Sequence, residues 1–354
     1  MNNIEKIRQA LPEYGCESML VTGAASRRFA TGFSSSAGAL LVAARDAWFF
    51  VDSRYYEAAG AAVSGAHVLL VPKGETFPEC IAATLEDNGI ATVGFEDSAA
   101  TYAVYQEWVE AFEAELIPAQ ELVNSLRSIK SREDLDGMIK AQRLAEKAFE
   151  EILPLISKDI TEKELAAELV YRMMRNGADD KGFDPIVVSG PRTSLPHGVP
   201  TNEKIGMGFL TFDFGARCNG WVSDTTRTLC VGKPDDEMVR IYDTVLQAQE
   251  AGIKAIRGGA AARDVDTAAR TIIEDAGYGD YFGHGFGHSL GLDVHESLRA
   301  SQTSDDILPV GAVMTAEPGI YLPGRYGVRT EDVVYVTEDG CDNITKLTKK
   351  LIVL

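Results

Sequence analysis

Residues 283–296 read GHGFGHSLGLDVHE and hold three of the chain's five histidines, His284, His288 and His295. Glycines at 283, 285, 287 and 291 separate them. Each glycine weakens a helix interior, but glycine backbone turns sharply and lets a ligand approach closely. Neutral imidazole is the commonest side-chain metal ligand and a proton shuttle near neutral pH. A histidine cluster on such backbone reads as a site rather than as a loop with chance histidines.

Two other segments carry acids that need explaining. In TFDFGARCNGWVSD (211–224) a turn near Cys218–Asn219–Gly220 makes a hairpin. Centred there, it sets Asp213 opposite Asp224, and directly opposed residues project from one face of an antiparallel pair. Asp213 lies between Phe212 and Phe214, where a carboxylate is half buried. Two close, buried carboxylates repel unless a cation holds them. In EPGIYLPGRYGVRTE (317–331) the Pro323–Gly324 turn lies midway and brings Glu317 opposite Glu331. Two acid-bearing hairpins, each preceded by helices, suggest an internal two-fold repeat. Four carboxylates and a histidine are hard ligands that suit Mn, Co, Fe or Zn. So many negative charges fit two bridged metal ions, about 3.5–4 Å apart as in two-metal hydrolases. Leftover histidines can then stabilise an intermediate and move protons.

The elements that must position these residues are legible in outline. At 354 residues, 45% hydrophobic and 25% charged, the chain suits about two soluble globular domains. Apolar runs at 18–22, 39–43, 47–51, 67–71 and 92–95, with helical patterns at 4–11, 77–86 and 102–114, give an α/β unit. His67 falls in one of those runs and reads as structural. The charged segment 121–134 lacks an apolar face and marks the boundary, giving domains 1–125 and 126–354. Helices come next at 133–155 and at 161–176, the latter opened by a capping box at Thr161–Glu164. Strands at 185–189, 209–214 and 221–231, helices at 236–256 and 262–276, and strands at 313–317, 327–336 and 351–354 complete the second domain. A net charge of −19 argues against nucleic acid or an anionic membrane as partner. Five scattered cysteines with no CxxC pair suggest neither disulfides nor thiolate zinc. The first residues lack a signal-peptide pattern and no long apolar run occurs, so the expected location is cytoplasmic.

With these residues in view, the chain resembles the pita-bread metallopeptidase family of methionyl aminopeptidases, prolidases and Xaa-Pro aminopeptidases, whose fold creatinase shares. The matching phrases are PHG at 196–198, DFG at 213–215, SDTTRT at 223–228, GH at 287–288 with HE at 295–296, TAEPGIY at 315–321 and GVRTED at 327–332. The match is strong over about 130–354. TGF at 31–33 and DSRY at 52–55 make the first 125 residues similar to the creatinase-type N-terminal domain. The implied fold is α/β (α+β), a smaller N-terminal creatinase-like domain followed by a pita-bread catalytic domain with a pseudo-two-fold repeat.

The resemblance also implies roles. Asp213 would chelate one metal, His288 and Glu317 the other, and Asp224 and Glu331 would bridge them. A bridging hydroxide would attack the scissile carbonyl, with Glu317 as proton acceptor. His295 would stabilise the intermediate or pass a proton, and His197 would contact substrate across the site. His284, Tyr321 and Arg329 match substrate-side positions. The implied cofactors are two divalent ions, Mn first, with Co, Zn or Fe as alternatives. The implied activity is removal of an N-terminal residue that precedes proline, by a homodimer acting on proline-containing peptides. No residue suggests a cap for a free carboxylate, so an Xaa-Pro aminopeptidase is expected before an Xaa-Pro dipeptidase. A methionyl-type or broad aminopeptidase stands further off because of the N-terminal domain, and a non-catalytic binding module on the same fold because all five ligands are present. Residues 295–298 (HESL), Trp221 and 207–209 (MGF) depart from the family pattern and bear on substrate preference rather than on catalysis.

Overall fold

The computed structural model describes residues 2–354, which form two compact units, one ending at Arg127 and one running from Ser128 to Leu354. In the first unit β1 (Ser18–Val21), β2 (Ala39–Ala43), β3 (Ala47–Val51), β4 (His67–Leu70), β5 (Thr92–Phe95) and β6 (Glu115–Pro118) form one sheet, ordered β4-β3-β2-β1-β5-β6. Strands buried on both faces read as unbroken apolar runs, as β1 and β2 do. Alternate residues feed two clusters: Met19, Leu40 and Phe49 on one side, Leu20, Leu41 and Phe50 on the other. The helices are α1 (Asn3–Ala10), α2 (Ala24–Thr31), α3 (Tyr56–Ala62), α4 (Phe77–Asp87), α5 (Tyr102–Ala111) and α6 (Gln120–Ser128). Ile7 of α1 and Leu122 of α6 fill the first cluster; Ile81 of α4 and Trp108 of α5 fill the second.

Several expectations fail in this unit. The segment 121–134 is not featureless: α6 buries Leu122 and Val123 completely, and its charged residues hide that period. α2, α3 and β6 were not among the expected elements. The pattern at 102–114 ends at Ala111, and its last residues lead into β6. His67, read as structural, lies on the edge strand β4, is exposed, and faces Asp46 at 3.3 Å.

The second unit repeats one order of elements, two helices and then a long hairpin. The first half holds α7 (Arg132–Ile152), α8 (Glu162–Arg175), β7 (Asp180–Lys181), β8 (Ile186–Ser189), β9 (Gly208–Phe214), β10 (Ala216–Cys218), β11 (Trp221–Val222) and β12 (Thr225–Val231). The second half holds α9 (Asp236–Ala255), α10 (Ala262–Asp275), β13 (Gly287–His288), β14 (Arg299–Ala300), β15 (Val313–Ala316), β16 (Gly319–Leu322), β17 (Tyr326–Arg329), β18 (Asp332–Val336) and β19 (Cys341–Asn343). α8 opens on the expected capping box: Thr161 Oγ1 accepts the Glu164 N–H at 3.1 Å, and Glu164 Oε2 accepts the Thr161 N–H at 2.8 Å. Of the expected terminal strand 351–354, only Val353 bridges, to Cys230, so that segment is not a strand of its own.

The registers of the two hairpins differ in how well the turn residues announced them. Glu317 and Glu331 interrupt one continuous register: Ala316 pairs with Asp332 on one side of them and Gly319 with Arg329 on the other. They therefore oppose each other, as the Pro323–Gly324 turn suggested. In the other hairpin Asp213 pairs with Thr226, not with Asp224. The turn takes Asn219 (φ 47°) and Gly220 (φ 78°) as its central pair and closes Cys218 on Trp221. That moves the register by two residues, and an even shift keeps side chains on the same face. Asp224 is thus a diagonal rather than a direct neighbour of Asp213.

Candidate active site

Packing in the first half aims Asp213. Side chains alternate along a strand, and the rings of Phe212 and Phe214 both pack on Phe149 of α7, with centroids 5.4 and 5.2 Å away. Asp213 between them must face the other way. There its Oδ2 accepts from Arg329 Nη2 at 2.7 Å, while its buried Oδ1 has no hydrogen-bond partner among the described residues. Asp224 sits in the break between β11 and β12 and is 4% exposed. Glu331, 1% exposed, accepts from the Thr226 hydroxyl at 2.7 Å.

The glycine-rich stretch delivers the imidazole. A Cβ on Gly287 would lie 2.1 Å from the Thr315 carbonyl oxygen, so only glycine lets this backbone lie against β15. The His288 N–H then donates to Thr315 Oγ1 at 3.0 Å, and its Nδ1 faces the Ser289 carbonyl at 3.2 Å. That orients Nε2 toward Glu317 at 3.3 Å and Asp224 at 3.8 Å. α10 holds the stretch from behind: Asp266 accepts the Phe286 N–H at 2.9 Å, and Arg270 donates to the carbonyls of Phe282 and His284 at 2.9 and 2.8 Å.

Electrostatics show how unfavourable this assembly is without a cation. Burial pushes the Asp224 and Glu331 carboxyls well above their ordinary range, and neighbouring carboxylates push them further. Asp213 is raised by burial and by Glu317, against the pull of Arg329. Glu317 ends on the other side: burial would raise it, but the hydrogen bond and charge of His288 hold it at about 2. A cation is wanted among these buried carboxylates. One ligand atom each from Asp224, His288 and Glu331 lie within 4.8 Å of one another. The oxygen-rich donor set, the partnerless Asp213 Oδ1 and the Nε2 orientation all fit divalent cations.

A cavity of about 1220 Å³ opens on these groups. His197, Asp213, Asp224, His284, His288, His295, Glu317, Arg329 and Glu331 all line it. His295 is exposed, with its ring centre 4.3 Å from that of His288. Its pKa is pushed down by burial and then by His288 and Arg299. Tyr321 does not line the cavity. It is 8% exposed, and its hydroxyl lies 2.7 Å from Arg329 Nη1 and 3.0 Å from His284 Nε2, so it supports those two residues from behind. Burial pushes its phenol up to about 12, against the pull of Arg329. Arg329, 4% exposed, also donates to Thr226 Oγ1 at 3.0 Å and to the Pro196 carbonyl at 3.2 Å.

The sequence did not announce three contributors. Thr226 serves Glu331 from the opposite hairpin. One face of α8, with Val170, Tyr171 and Met174, forms an apolar side of the cavity. Arg299 brings an exposed cation into the lining, and burial, the largest influence on it, lowers its pKa. Its place four residues after His295 was a visible signal, but no periodicity or motif distinguished it from a surface arginine.

Comparison with known proteins places the chain in one family. Residues 136–338 match the family described as Metallopeptidase family M24, and residues 3–129 match the Creatinase/Prolidase N-terminal domain. The chain is 35% identical to an Xaa-Pro dipeptidase of Pyrococcus furiosus over 99% of both chains. A solved Xaa-Pro dipeptidase from Bacillus anthracis superposes with TM-score 0.96 at 40% identity, covering 99% of each chain. An X-Pro aminopeptidase from Thermotoga maritima gives TM-score 0.91 at 33% identity, covering 98% of this chain and all 100% of that one. The chain therefore belongs to metallopeptidase family M24 and carries its creatinase-type N-terminal domain and pita-bread fold.

Proposed function

We propose that the protein is a two-metal exopeptidase that hydrolyses the bond between an N-terminal residue and a following proline. The observation that carries this reading is the convergence of Asp213, Asp224, His288, Glu317 and Glu331 in one cavity, with more buried negative charge than the chain's own cations balance. Asp213 would hold one ion, His288 and Glu317 the second, and Asp224 and Glu331 both, with Mn the first choice of metal. Bound there, divalent ions supply Lewis acidity and make water acidic enough to be a nucleophile near neutral pH.

The chain's own groups do the rest. Glu317, ionised over the working pH range, accepts a proton at its carboxylate. His295, held neutral, offers a ring N–H to the substrate carbonyl oxygen or to the leaving nitrogen. His197 meets the substrate from the other side of the cavity, His284 lines the substrate side, and Arg329 fixes Asp213. The preference for proline is supported by the Xaa-Pro names of the relatives. Two forms of the activity differ in whether the substrate chain continues beyond proline. The cavity's volume and the apolar face of α8 leave room for a continuing chain, which supports an aminopeptidase. Arg299 supports a dipeptidase, because a guanidinium in the cavity suits the free carboxylate of a terminal proline. A homodimer and a cytoplasmic location belong to the same reading; light scattering and cell fractionation test them.

The deciding experiment is a competition of Ala-Pro, Ala-Pro-Ala and Ala-Ala-Ala on the Mn-loaded protein, followed by mass spectrometry, with bound metal counted in parallel. Release of Ala from Ala-Pro-Ala gives the aminopeptidase, and cleavage of Ala-Pro alone gives the dipeptidase. Faster cleavage of Ala-Ala-Ala removes the proline preference. Silence on all three without bound metal overturns the enzymatic reading.

A further inference from the structure

We propose that Glu162 is a positioning residue for this reaction, the buried carboxylate that aims His197 into the cavity. The inference rests on the reading of His197 as a group that meets the substrate. Glu162 opens α8 and is fully buried. Its Oε1 accepts the Ser189 N–H at 2.8 Å and the Ser189 hydroxyl at 3.3 Å. Its Oε2 accepts the Thr201 hydroxyl at 2.9 Å, the Thr201 N–H at 3.1 Å and Arg192 Nε at 3.2 Å. Ser189 and Thr201 are the two feet of the irregular loop whose far end bears His197. One side chain therefore ties both feet to one point, and the positive end of the helix favours its charge. The backbone extends the tie, with the Lys163 N–H donating to the Thr201 carbonyl at 3.0 Å.

The rest of the loop is held to the strand that carries Arg329. Thr193 Oγ1 accepts the Gly327 N–H at 2.9 Å, and the Pro196 carbonyl accepts from Arg329 at 3.2 Å. His197 itself is exposed. Among the described residues no hydrogen bond fixes its ring, unlike the ring of His284, so the loop backbone is what brings it to the cavity. A carboxylate that receives five donors across the feet of such a loop has a function beyond the helix it starts.

The test is a double-mutant cycle on the Mn-loaded enzyme with a proline peptide, scored as kcat and KM separately. Glu162→Gln keeps the shape but faces N–H donors with an amide. It is expected to lower kcat/KM about tenfold to a hundredfold, the effect of a small misplacement at a distance from the chemistry. The loss should divide between kcat and KM as it does in His197→Ala, and Glu162→Gln should add nothing once His197 is alanine. Thr201→Val removes a single donor and should move in the same direction by less, which keeps the cycle available if Glu162→Gln does not fold. Effects that multiply with those of His197→Ala, or variants as active as wild type at equal metal content, overturn the proposal and leave the proposed activity standing. A wild-type protein that cleaves no proline peptide overturns that activity and this proposal with it.

Discussion

Glu96 in the first unit and Glu331 in the second are equally buried, each 1% exposed, yet their surroundings differ. Glu96 Oε2 accepts two backbone N–H groups, from Thr22 and Gly23, at 2.7 Å each, where α2 begins. The charge of Arg27 lies close by. Glu331 has one hydroxyl, and the carboxylates of Glu317 and Asp213 press on it against the pull of Arg329. A buried charge is costly unless it is paired and hydrogen-bonded. The fold supplies two backbone donors to Glu96 from within, gives Glu331 a single hydroxyl, and withholds donors from Asp224 and one oxygen of Asp213. The first pattern marks a carboxylate that holds the fold together; the second marks one whose partner comes from solution.

Substitutions separate the two classes. Asp224→Asn should have the largest effect, lowering kcat/KM by more than the roughly 10–100-fold that loss of an outer-shell partner costs, together with loss of bound metal. The same change should raise the melting temperature of the metal-free protein, because it removes one of the repelling charges. A less stable metal-free Asp224→Asn would show that the carboxylate is structural after all. Glu96→Gln should do the reverse, costing about 1–3 kcal/mol of stability for buried donors left poorly matched, with kcat per folded molecule unchanged. Denaturant unfolding measures the first quantity and active-site-normalised kinetics the second; an intact stability would remove Glu96 from its class.

The smallest effect is a pH slope. Asp213, Asp224 and Glu331 have raised pKa values in the folded protein. Without metal they therefore keep protons that the unfolded chain releases near pH ~4. Their contribution to stability is complete below that pH and is lost as the pH rises through the raised values. Glu317, held at about 2, works in the opposite sense: its contribution is present above its unfolded value and is lost as the pH falls toward 2. The three outweigh the one, so melting temperature should fall as pH rises above ~4 in the chelated protein. Bound metal should flatten that slope, since it satisfies the ionised forms. A slope that is the same with and without metal would contradict the distinction between the two classes of carboxylate.

How far the sequence disclosed this site depended on local turn chemistry. Pro323–Gly324 sits at the middle of its hairpin, so the opposition of Glu317 and Glu331 could be read directly. Asn219–Gly220 takes the turn one residue beyond where symmetric counting puts Asp213 against Asp224, which moves the register by two, and only the shared face survived. His288 was visible because three of the chain's five histidines fall on one glycine-rich stretch. Thr226, Glu162 and Arg299 were not, since a threonine in a strand, a glutamate at a helix start and a surface arginine are ordinary until the fold sets them against something. α6 was missed for a related reason: its charges are conspicuous in the sequence, while Leu122 and Val123 matter only once the sheet is beneath them.

The contacts behind the cavity also have a direction. Arg329 has only protons to give, so it donates to the Tyr321 oxygen, and the phenol, protonated up to about 12, passes its own proton toward His284 Nε2. That nitrogen must then be the lone-pair side of a neutral ring, which leaves the proton on Nδ1, 2.9 Å from the Gly285 carbonyl. Both ring nitrogens of His284 are thus committed to the protein, and its tautomer is set by an arginine it does not touch. Whatever His284 offers a substrate is the edge and face of a fixed ring, not a proton.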